Sequence, residues 1–352
     1  MISPSMIPAS VRVLDADRES LWDDYVARSG TASIYHLSAW RGLIKRLYGH
    51  ESRYIYAHDA DGNVTGVLPL IRLKSALFGD YLVSMPYFNY GGALADTAAT
   101  EQSLIQHAAE LAADAGCSHV ELRDTAPRHD GWPVRTDKVA MELALPGDVD
   151  ALWSGLGSKL RSQVKRPMRE TGVVVVRGGA ELLNDFYDVF ARTMRDLGTP
   201  VYPIAMFREI LEAFPQAASV VVVRFNDRPA AAAFLIGYKG RLEIPWAASL
   251  RELNRFGFNM LLYWEVLKKA IEERYTIFDF GRSTRDGGTY NFKKQWGAHE
   301  RPLYWHYWLA PGKAMPNLTP KNSKYSLAIS VWKKLPVFVA NRLGPWLVGN
   351  LP

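Results

Sequence analysis

The sequence predicts a mixed α/β protein in which one order of strands and helices occurs twice. Three observations support this prediction. Short runs of β-branched and aromatic residues flank turn residues, a helical stretch follows, and a further apolar strand comes after the helix. Strands around a turn form a hairpin, and a helix between two strands forms a βαβ crossover. Each block is therefore a mixed sheet flanked by helices, antiparallel at its start and parallel at its end.

The two blocks can be read element by element. The first consists of the strand Arg53–His58, the turn Asp61-Gly62-Asn63, the strand Val64–Leu73, the extended segment Tyr81–Leu94, the helix Thr100–Ala115 and the strand His119–Arg123. The second consists of the strand Ser219–Phe225, the turn Asn226-Asp227-Arg228, the strands Pro229–Tyr238 and Arg241–Ala248, the helix Asn259–Arg274 and the strand Thr276–Gly281. The shared order indicates a distant duplication.

Between the blocks, two helical stretches surround one strand. The stretches are Asp150–Glu170 and Glu181–Leu197, and the strand is Val173–Arg177. A turn-forming pair, Pro146-Gly147, precedes them and marks a boundary. We therefore predict an N-terminal domain of residues 1–147, a second domain of residues 148–310 and a tail of residues 311–352.

The positive charge of the chain is concentrated at its end. The 352 residues carry a formal net charge of +6, yet no Asp or Glu follows Glu300 while seven Lys and Arg residues do. Removing those seven from the 42 basic residues leaves 35, against 36 acidic residues in the first 300. A chain-wide coat of cations for nucleic acid is therefore excluded, and no DNA partner is expected.

Several common classes of protein are disfavoured. The single cysteine, Cys117, excludes an intramolecular disulfide and a multi-cysteine metal site. Phosphate-loop, dinucleotide, zinc-protease and nucleophile-elbow motifs are absent from the sequence, and the His residues show no metal-ligand spacing, so no metal is expected. The N-terminal residues do not resemble a secretory signal, and no apolar run approaches the ~20 residues of a spanning helix. A cytoplasmic location is expected.

A basic helical stretch begins at Ser158. At 100° per residue, Leu160, Val164 and Met168 share an apolar stripe, and Pro167 should kink or restart the helix. The basic residues lie beside that stripe and include Lys159, Arg161 and Lys165. They form either a solvated helix face or a surface for phosphates.

The junction between the strand ending at Ala248 and the following helix is a candidate anion site. Gly257 permits tight backbone geometry and Asn259 is a candidate N-cap, while Arg251 and Arg255 lie beside them. Backbone N–H groups at a helix start bind anions readily.

The segment from Phe278 to Ala298 combines glycines, cations and aromatic residues, as expected near a substrate cleft. On a strand of period two, Asp279 faces away from Phe278 and Phe280. A buried Asp needs a partner, and Arg282 or a lysine of the following loop would supply one. The alternative interpretation is a purely structural Asp–Arg pair at a strand end.

Four motifs together resemble FemAB-related proteins, and in particular the branch associated with exosortase/PEP-CTERM systems in exopolysaccharide loci. The motifs are MRDLGTP (Met194–Pro200), IPWAAS (Ile244–Ser249), FDFGRST (Phe278–Thr284) and FKKQWGA (Phe292–Ala298). The resemblance implies two tandem GNAT-like (N-acetyltransferase) domains. It also implies an acyl- or aminoacyltransferase of the cell envelope. The helical arm of the founding FemAB enzymes has no counterpart here, which favours acyl-CoA over aminoacyl-tRNA as donor.

The resemblance also implies roles for individual residues. GNAT-type transfer needs no covalent intermediate, because a neutral amine attacks the acyl carbonyl directly while a base removes its proton. Asp279 and Tyr290 are the candidates for proton handling, and the junction residues Arg251, Arg255, Gly257 and Asn259 would hold the donor's phosphates. The candidates for binding a small-molecule or lipid-linked saccharide acceptor are Lys159, Arg161, Lys165, Tyr202, Trp246, Arg282, Lys293, Lys294 and Trp296.

Two other functions stay open from the sequence. One is a non-catalytic scaffold of a polysaccharide or exosortase assembly system that keeps the fold without the chemistry. The other is nucleic-acid binding through the basic stretch Lys159–Arg169, with tRNA as a possible but less favoured partner.

The tail mixes basic and aromatic residues. Lys and Pro interrupt it too often for a membrane span, but its composition suits an anionic interface such as the inner-membrane surface. The alternative is a tail packed over an apolar groove of the body.

Overall fold

The structure, a computed structural model, describes residues 10–75, 78–127, 131–316 and 323–350. Its strands are β1 (Ser10–Val13), β2 (Glu51–Ser52), β3 (Ile55–His58), β4 (Val64–Leu68), β5 (Ile71–Ser75), β6 (Gly79–Val83), β7 (Leu94–Ala95), β8 (His119–Asp124), β9 (Val134–Arg135), β10 (Lys138–Ala144), β11 (Val173–Gly178), β12 (Ala218–Phe225), β13 (Arg228–Tyr238), β14 (Arg241–Ser249), β15 (Ile277–Thr284), β16 (His299–Pro302) and β17 (Tyr304–Leu309). Its α-helices are α1 (Glu19–Arg28), α2 (Ala39–Tyr48), α3 (Ala98–Asp114), α4 (Val149–Gly155), α5 (Ser158–Lys165), α6 (Leu183–Leu197), α7 (Ile204–Ala213), α8 (Phe258–Glu272), α9 (Gly288–Lys294), α10 (Ser323–Trp332) and α11 (Val337–Val348).

The chain divides into two compact units that are not simply successive. Unit 1 contains Met1–Asp137, Pro302–Pro316 and Asn350–Pro352, and unit 2 contains Lys138–Arg301 and Asn317–Gly349. Strand β10 therefore belongs with unit 2, and β17 returns to unit 1. The domain limits at residues 147 and 310 remain predictions, and the contact units cut the chain at different places.

Unit 1 is a mixed structure of strands and helices. Within the described residues its strands form two sheets, in the orders β1-β3-β4-β7 and β2-β5-β6-β8-β17-β9. The predicted strand Val64–Leu73 is in fact two strands in different sheets, because Pro69 lies between them and has no N–H to donate to a ladder. Helix α3 packs Leu104 and Ala108 into a core with Ile55 and Leu122.

Unit 2 is built on one sheet with helices on both faces. Its strands follow the order β11-β12-β13-β14-β15-β10-β16 within the described residues. Val266 of α8 is buried in a core with Leu242 and Phe278, while Phe186 of α6 stacks near Phe234 of β13. Pairing is antiparallel from β11 to β14 and parallel between β14 and β15. The predicted mixed α/β fold with two similar blocks is confirmed.

The basic stretch after Ser158 is shorter than the predicted helix. Helix α5 ends at Lys165, and Pro167–Arg169 continues as a single 3-10 turn because proline cannot donate the next helical hydrogen bond. Leu160 and Val164 are buried, as their spacing predicts. Met168 is exposed, so its expected place in the same apolar stripe is wrong: the tighter turn rotates it away.

Candidate active site

The sheet of unit 2 opens into a fork between two parallel strands. Strand β14 pairs with β15 only where Arg241–Glu243 faces Ile277–Asp279, although the strands continue to Ser249 and Thr284. The pairing of β13 with β14 is irregular at the same level, beside Pro245, which has no N–H. A fork of this kind leaves a slot with backbone polar groups on its walls.

Asp279 lies at the point where the fork opens. Its carboxyl group is fully buried, and Oδ1 accepts a hydrogen bond of 2.8 Å from the N–H of Gly281. Gly281 has a φ of +75°, a conformation that favours glycine. The other oxygen, Oδ2, lies 3.6 Å from Nη1 of Arg241. Asp279 therefore holds a kink in β15 and is paired with a cation of the neighbouring strand.

Lys293 reaches the same kink from α9. Its buried ammonium group donates to the carbonyl oxygens of Gly281 at 2.9 Å and Arg282 at 3.0 Å. Burial lowers the pKa of Lys293 to about 8, although the charges of Asp279 and Glu243 act in the opposite direction. The sequence suggested that Lys293 binds an anionic acceptor, whereas the structure buries its ammonium group at the fork.

Tyr290 lies on α9 in a small network of charged residues. Its hydroxyl donates a 2.5 Å hydrogen bond to Glu300, whose other carboxylate oxygen accepts one from Arg285 at 2.8 Å. The bond to Glu300, together with burial, raises the pKa of Tyr290. Lys294 lies with its ammonium 5.8 Å from the centre of the Tyr290 ring. This network links two candidates from the sequence.

The predicted anion site lies at the end of β14. A 3-10 helix, Arg251–Phe256, carries the exposed side chains of Arg251 and Arg255, and Gly257 then adopts a φ of +82° as the residue before α8. Asn259 is in the first turn of α8 rather than its N-cap, because Gly257 takes that position. The first N–H groups of a helix have no intrahelical acceptor and attract anions, so the geometry suits phosphate.

The end of α5 packs against this helix start. A β-carbon on Gly257 would lie 3.8 Å from both the carbonyl oxygen of Gln163 and Cδ of Pro167. The exposed Lys165 and Arg166 are therefore on a turn that neighbours the start of α8. Helix α5 thus adds positive charge close to the predicted anion site.

The basic residues of α5 differ in their contacts with the rest of the protein. Lys159 is exposed, but Arg161 donates to the carbonyl oxygens of Leu156 at 2.8 Å and Ser154 at 3.2 Å. It therefore satisfies carbonyl groups at the C-terminal end of α4. The ammonium of Lys165 lies 5.4 Å from the centre of the Trp153 ring. These contacts give Arg161 a structural role in addition to any role in binding.

The three aromatic candidates occupy different places. Tyr202 and Trp246 contact each other with ring centroids 5.8 Å apart, and Trp246 extends the aromatic cluster around Phe207. Trp296 is only 1% exposed and lies in the core beneath α9, near Tyr263. Trp246 is 8% exposed and Tyr202 half-buried, so the pair can offer only a partly exposed wall, whereas Trp296 is a core residue. Arg282 and Lys294 are exposed.

Sequence reasoning missed the residues that surround Asp279 from other strands. Glu142 of β10 is in register with Asp279 and accepts from Nη1 of Arg301 at 3.1 Å, and its carboxylate lies 2.7 Å from Nη1 of Arg241. The sequence suggested Arg282 or a loop lysine as the partner of Asp279, and the structure adds Arg241, which reaches the carboxylate from the neighbouring strand. The strand register, had it been known, would have identified Arg241 and Glu243.

The equivalent fork in unit 1 is filled by its own chain. Strands β6 and β8 pair in parallel at Leu82 and Val83. The segment after β6 stays bonded to β8, because the N–H of Ser84 donates to the carbonyl oxygen of Glu121 at 2.9 Å and the N–H of Gly92 to that of Arg123 at 3.0 Å. The buried guanidinium of Arg123 donates to the carbonyl oxygens of Met85 at 3.1 Å and Phe88 at 2.5 Å. It also pairs with Glu121 at 2.8 Å. The described part of unit 1 therefore has no counterpart of the open fork of unit 2.

A comparison with known protein families matches part of unit 2. Residues 158–294, from α5 to α9, match the family model described as an acetyltransferase (GNAT) domain. They contain the fork, Asp279, Lys293 and the start of α8. No curated protein sequence matches the chain. Unit 2 thus contains a GNAT acyltransferase domain, and the protein is an acyltransferase.

Solved structures extend the likeness to most of the chain. FemX is 17% identical, with a TM-score of 0.64 over 84% of this chain and 96% of that chain. A tandem GNAT protein from the clavulanic acid biosynthesis pathway is 13% identical, with a TM-score of 0.53 over 86% and 98%. L-PGS from Bacillus licheniformis is 14% identical, with a TM-score of 0.53 over 94% and 97%. At these identities the likeness concerns the fold, which is FemAB-like with two GNAT-like domains.

Proposed function

We propose that the protein transfers an acyl or aminoacyl group from an activated donor to an amine of an exopolysaccharide or cell-envelope precursor. The observation that carries the proposal is the open fork of unit 2, with Asp279 and Lys293 at its base and an arginine-flanked helix start at its mouth. The motifs shared with exosortase/PEP-CTERM-associated FemAB proteins favour a saccharide acceptor. The names of the similar structures, FemX and L-PGS, are consistent with an acceptor of the envelope.

The donor best suited to this mouth is acyl-CoA. Its phosphates would bind the first N–H groups of α8 and the guanidinium groups of Arg251 and Arg255, and its pantetheine arm would follow the slot between β14 and β15. Gly257 supplies the positive φ from which this helix start begins. Aminoacyl-tRNA is the alternative donor, favoured by the basic end of α5 close to the same helix start.

The proposed acyl transfer uses the charged groups at the base of the fork. The neutral acceptor amine attacks the acyl carbon, a C–N bond forms, the C–S bond of the thioester breaks, and the sulfur leaves as thiolate or thiol. The amine loses one proton, and Asp279 and Tyr290 are the candidates to handle it. Lys293 places a positive charge beside the kink at Gly281, where it would stabilise the oxyanion of the tetrahedral intermediate. Asp279 also fixes that kink through the N–H of Gly281.

The acceptor would bind around the fork. Arg282 and Lys294 present cations suited to phosphate or carboxylate, and Tyr202 with Trp246 supplies an aromatic wall. A lipid-linked or nucleotide-linked saccharide has both the phosphates and the apolar sugar faces that such groups contact.

The proposal is tested by donor binding. We expect CoA and acetyl-CoA to raise the melting temperature, because a ligand that binds only the folded state stabilises it. Arg255→Ala should weaken CoA binding in titration calorimetry by about tenfold or more, the loss expected for one charge-assisted hydrogen bond. Arg274→Ala, an exposed arginine just beyond the opposite end of the same helix, is the control and should bind CoA normally.

A lack of response to CoA, acetyl-CoA and aminoacyl-tRNA in the folded protein would contradict the proposal. The non-catalytic scaffold would then be the better interpretation, and specific capture of polysaccharide assembly proteins would support it.

A further inference from the structure

The last two helices present an apolar face to solvent. Among the large hydrophobic residues that the structure describes, those with the greatest exposure include Phe338 at 74% and Trp346 at 66%. Val331 at 55% and Leu343 at 47% lie on the same two helices. Phe338, Arg342 and Trp346 are four residues apart in α11 and therefore form one stripe. We call the surface of Val331, Phe338, Leu343 and Trp346 the tail face.

The opposite side of these helices is tied to unit 2. Ala340, Gly344 and Val348 form the buried stripe of α11. Gly344 approaches so closely that a β-carbon there would lie 2.7 Å from the backbone nitrogen of Val201. The turn between α10 and α11 is held by Arg195, which donates a 2.8 Å hydrogen bond to the carbonyl oxygen of Leu335. Helix α11 is therefore packed on unit 2 through one stripe and still exposes a second, apolar stripe.

The charges carried by the tail itself have a single sign. Lys333, Lys334 and Arg342 are exposed on α11 and the turn before it. No Asp or Glu occurs after Glu300 in the sequence. Aromatic and aliphatic side chains interleaved with cations are typical of segments that lie in the headgroup region of an anionic bilayer. None of the described helices has the length and apolar character needed to cross a membrane.

We propose that the tail face inserts its apolar side chains into the interface of a bilayer containing anionic lipids, with its three cations on the headgroups. A second copy of the same face is a poorer partner, because the cations would face like charges. The buried stripe of α11, packed on unit 2, would keep the face oriented. This inference concerns surface residues alone and does not depend on acyl transfer.

Sedimentation with vesicles tests the proposal on the full-length protein. We expect strong binding to phosphatidylcholine vesicles that contain phosphatidylglycerol and weak binding to phosphatidylcholine alone. Replacing all three cations by glutamine should weaken binding by about 100-fold, since each is expected to contribute about fivefold near an anionic surface. The variant is Lys333→Gln/Lys334→Gln/Arg342→Gln, and its control carries three exposed changes in unit 1, Arg12→Gln/Lys45→Gln/Arg46→Gln.

The apolar contribution needs a separate pair of variants. Phe338→Ser/Trp346→Ser should lose roughly tenfold or more in vesicle affinity, because two large apolar side chains no longer leave water. The control Leu21→Ser/Val174→Ser removes exposed apolar side chains elsewhere and should bind normally. Circular dichroism checks that each variant is folded.

Three results would overturn the proposal. These are equal binding to neutral and anionic vesicles, equal binding by the tail-face variants and their controls, and dimerisation in analytical ultracentrifugation that the tail-face variants abolish. The last would identify the face as an interface between copies of the chain. None of these readouts involves the acyl donor, so failure here leaves the proposed function untouched.

Discussion

At the scale of single residues, burial decides what Lys293 can do. In solvent this side chain would simply be a cation. Here its ammonium group is buried and donates hydrogen bonds to two backbone carbonyl groups. Its pKa of about 8 allows loss of a proton close to neutral pH. The negative charge of Asp279 opposes that loss because it raises the pKa of Lys293.

The buried lysine should leave a signature in the pH dependence of stability. Lys293 holds its proton up to about pH 8 when folded and up to 10.5 when unfolded, so between these values the unfolded state binds more protons. The free energy of unfolding of the wild type, relative to Lys293→Met, should therefore rise with pH across this window, by at most about 1.4 kcal/mol per pH unit.

Urea denaturation at several pH values measures this difference. Lys268→Met, at a lysine that is far more exposed in α8, serves as control and should show no such slope. A difference between wild type and Lys293→Met that stays constant through the window would show that the lysine titrates normally.

At the scale of elements, the start of α8 combines backbone conformation with charge. Gly257 has a positive φ at the end of a 3-10 helix that carries both arginines, and α5 packs against it. No side-chain cap occupies this helix end. In unit 1 the start of α3 is different, because the hydroxyl of Thr97 accepts the N–H of Thr100 there. An uncapped helix start is the one suited to an external anion.

A comparison of two glycine-to-alanine variants should separate the effect of backbone strain on stability from an effect on CoA binding. Gly257→Ala costs about 1 kcal/mol of stability through its positive φ and should also weaken CoA binding, since relief of that strain would shift the first N–H groups of α8. The control is Gly62→Ala in the turn before β4, where φ is +85° and nothing lies within 4 Å of the added carbon. It should introduce similar backbone strain without affecting CoA binding. Calorimetric titration with CoA compares the two. Equal affinities of the two variants for CoA would contradict the proposal that its phosphates bind at this site.

At the scale of the whole molecule, the chain returns to unit 1 after completing most of unit 2. Strand β17 pairs with β8 from Tyr304 opposite Asp124 to Leu309 opposite His119. The hydroxyl of Tyr307 donates a 2.7 Å hydrogen bond to the buried Glu121. Burial alone would raise the pKa of Glu121, but Arg123 and Tyr307 hold it below its usual value. Residues far apart in the sequence therefore complete this core.

A fragment test follows from this connection. Residues 1–137 alone should not fold cooperatively, because loss of β17 exposes the edge of β8 and leaves Glu121 without Tyr307, against a total stability of only about 5–15 kcal/mol. Fusing residues 302–316 to that fragment through a flexible linker should restore cooperative unfolding in circular dichroism. A fragment of residues 1–137 that melts cooperatively on its own would contradict the assignment of β17 to this core.

The sequence predicted most elements of the second block and the residues at the start of α8. Strand and helix periodicity depend on neighbours within a few residues, and the motifs that resemble FemAB-related proteins lie along the same local elements. The predictions failed where distant residues decide the outcome. Arg241, which strand register places beside Asp279, was not predicted, and α9 was expected to be a loop.

By itself, the sequence determined the class of fold, the two similar blocks, the acyltransferase chemistry that the shared motifs imply and the concentration of charge after Glu300. Only the tertiary structure decided that Lys293 and Trp296 are buried, that the fork of unit 1 is filled while that of unit 2 is open, and that α11 both packs on the body and exposes Phe338 and Trp346. The physical reason is that burial, register and partner choice depend on contacts between residues remote in the chain, which no local pattern records.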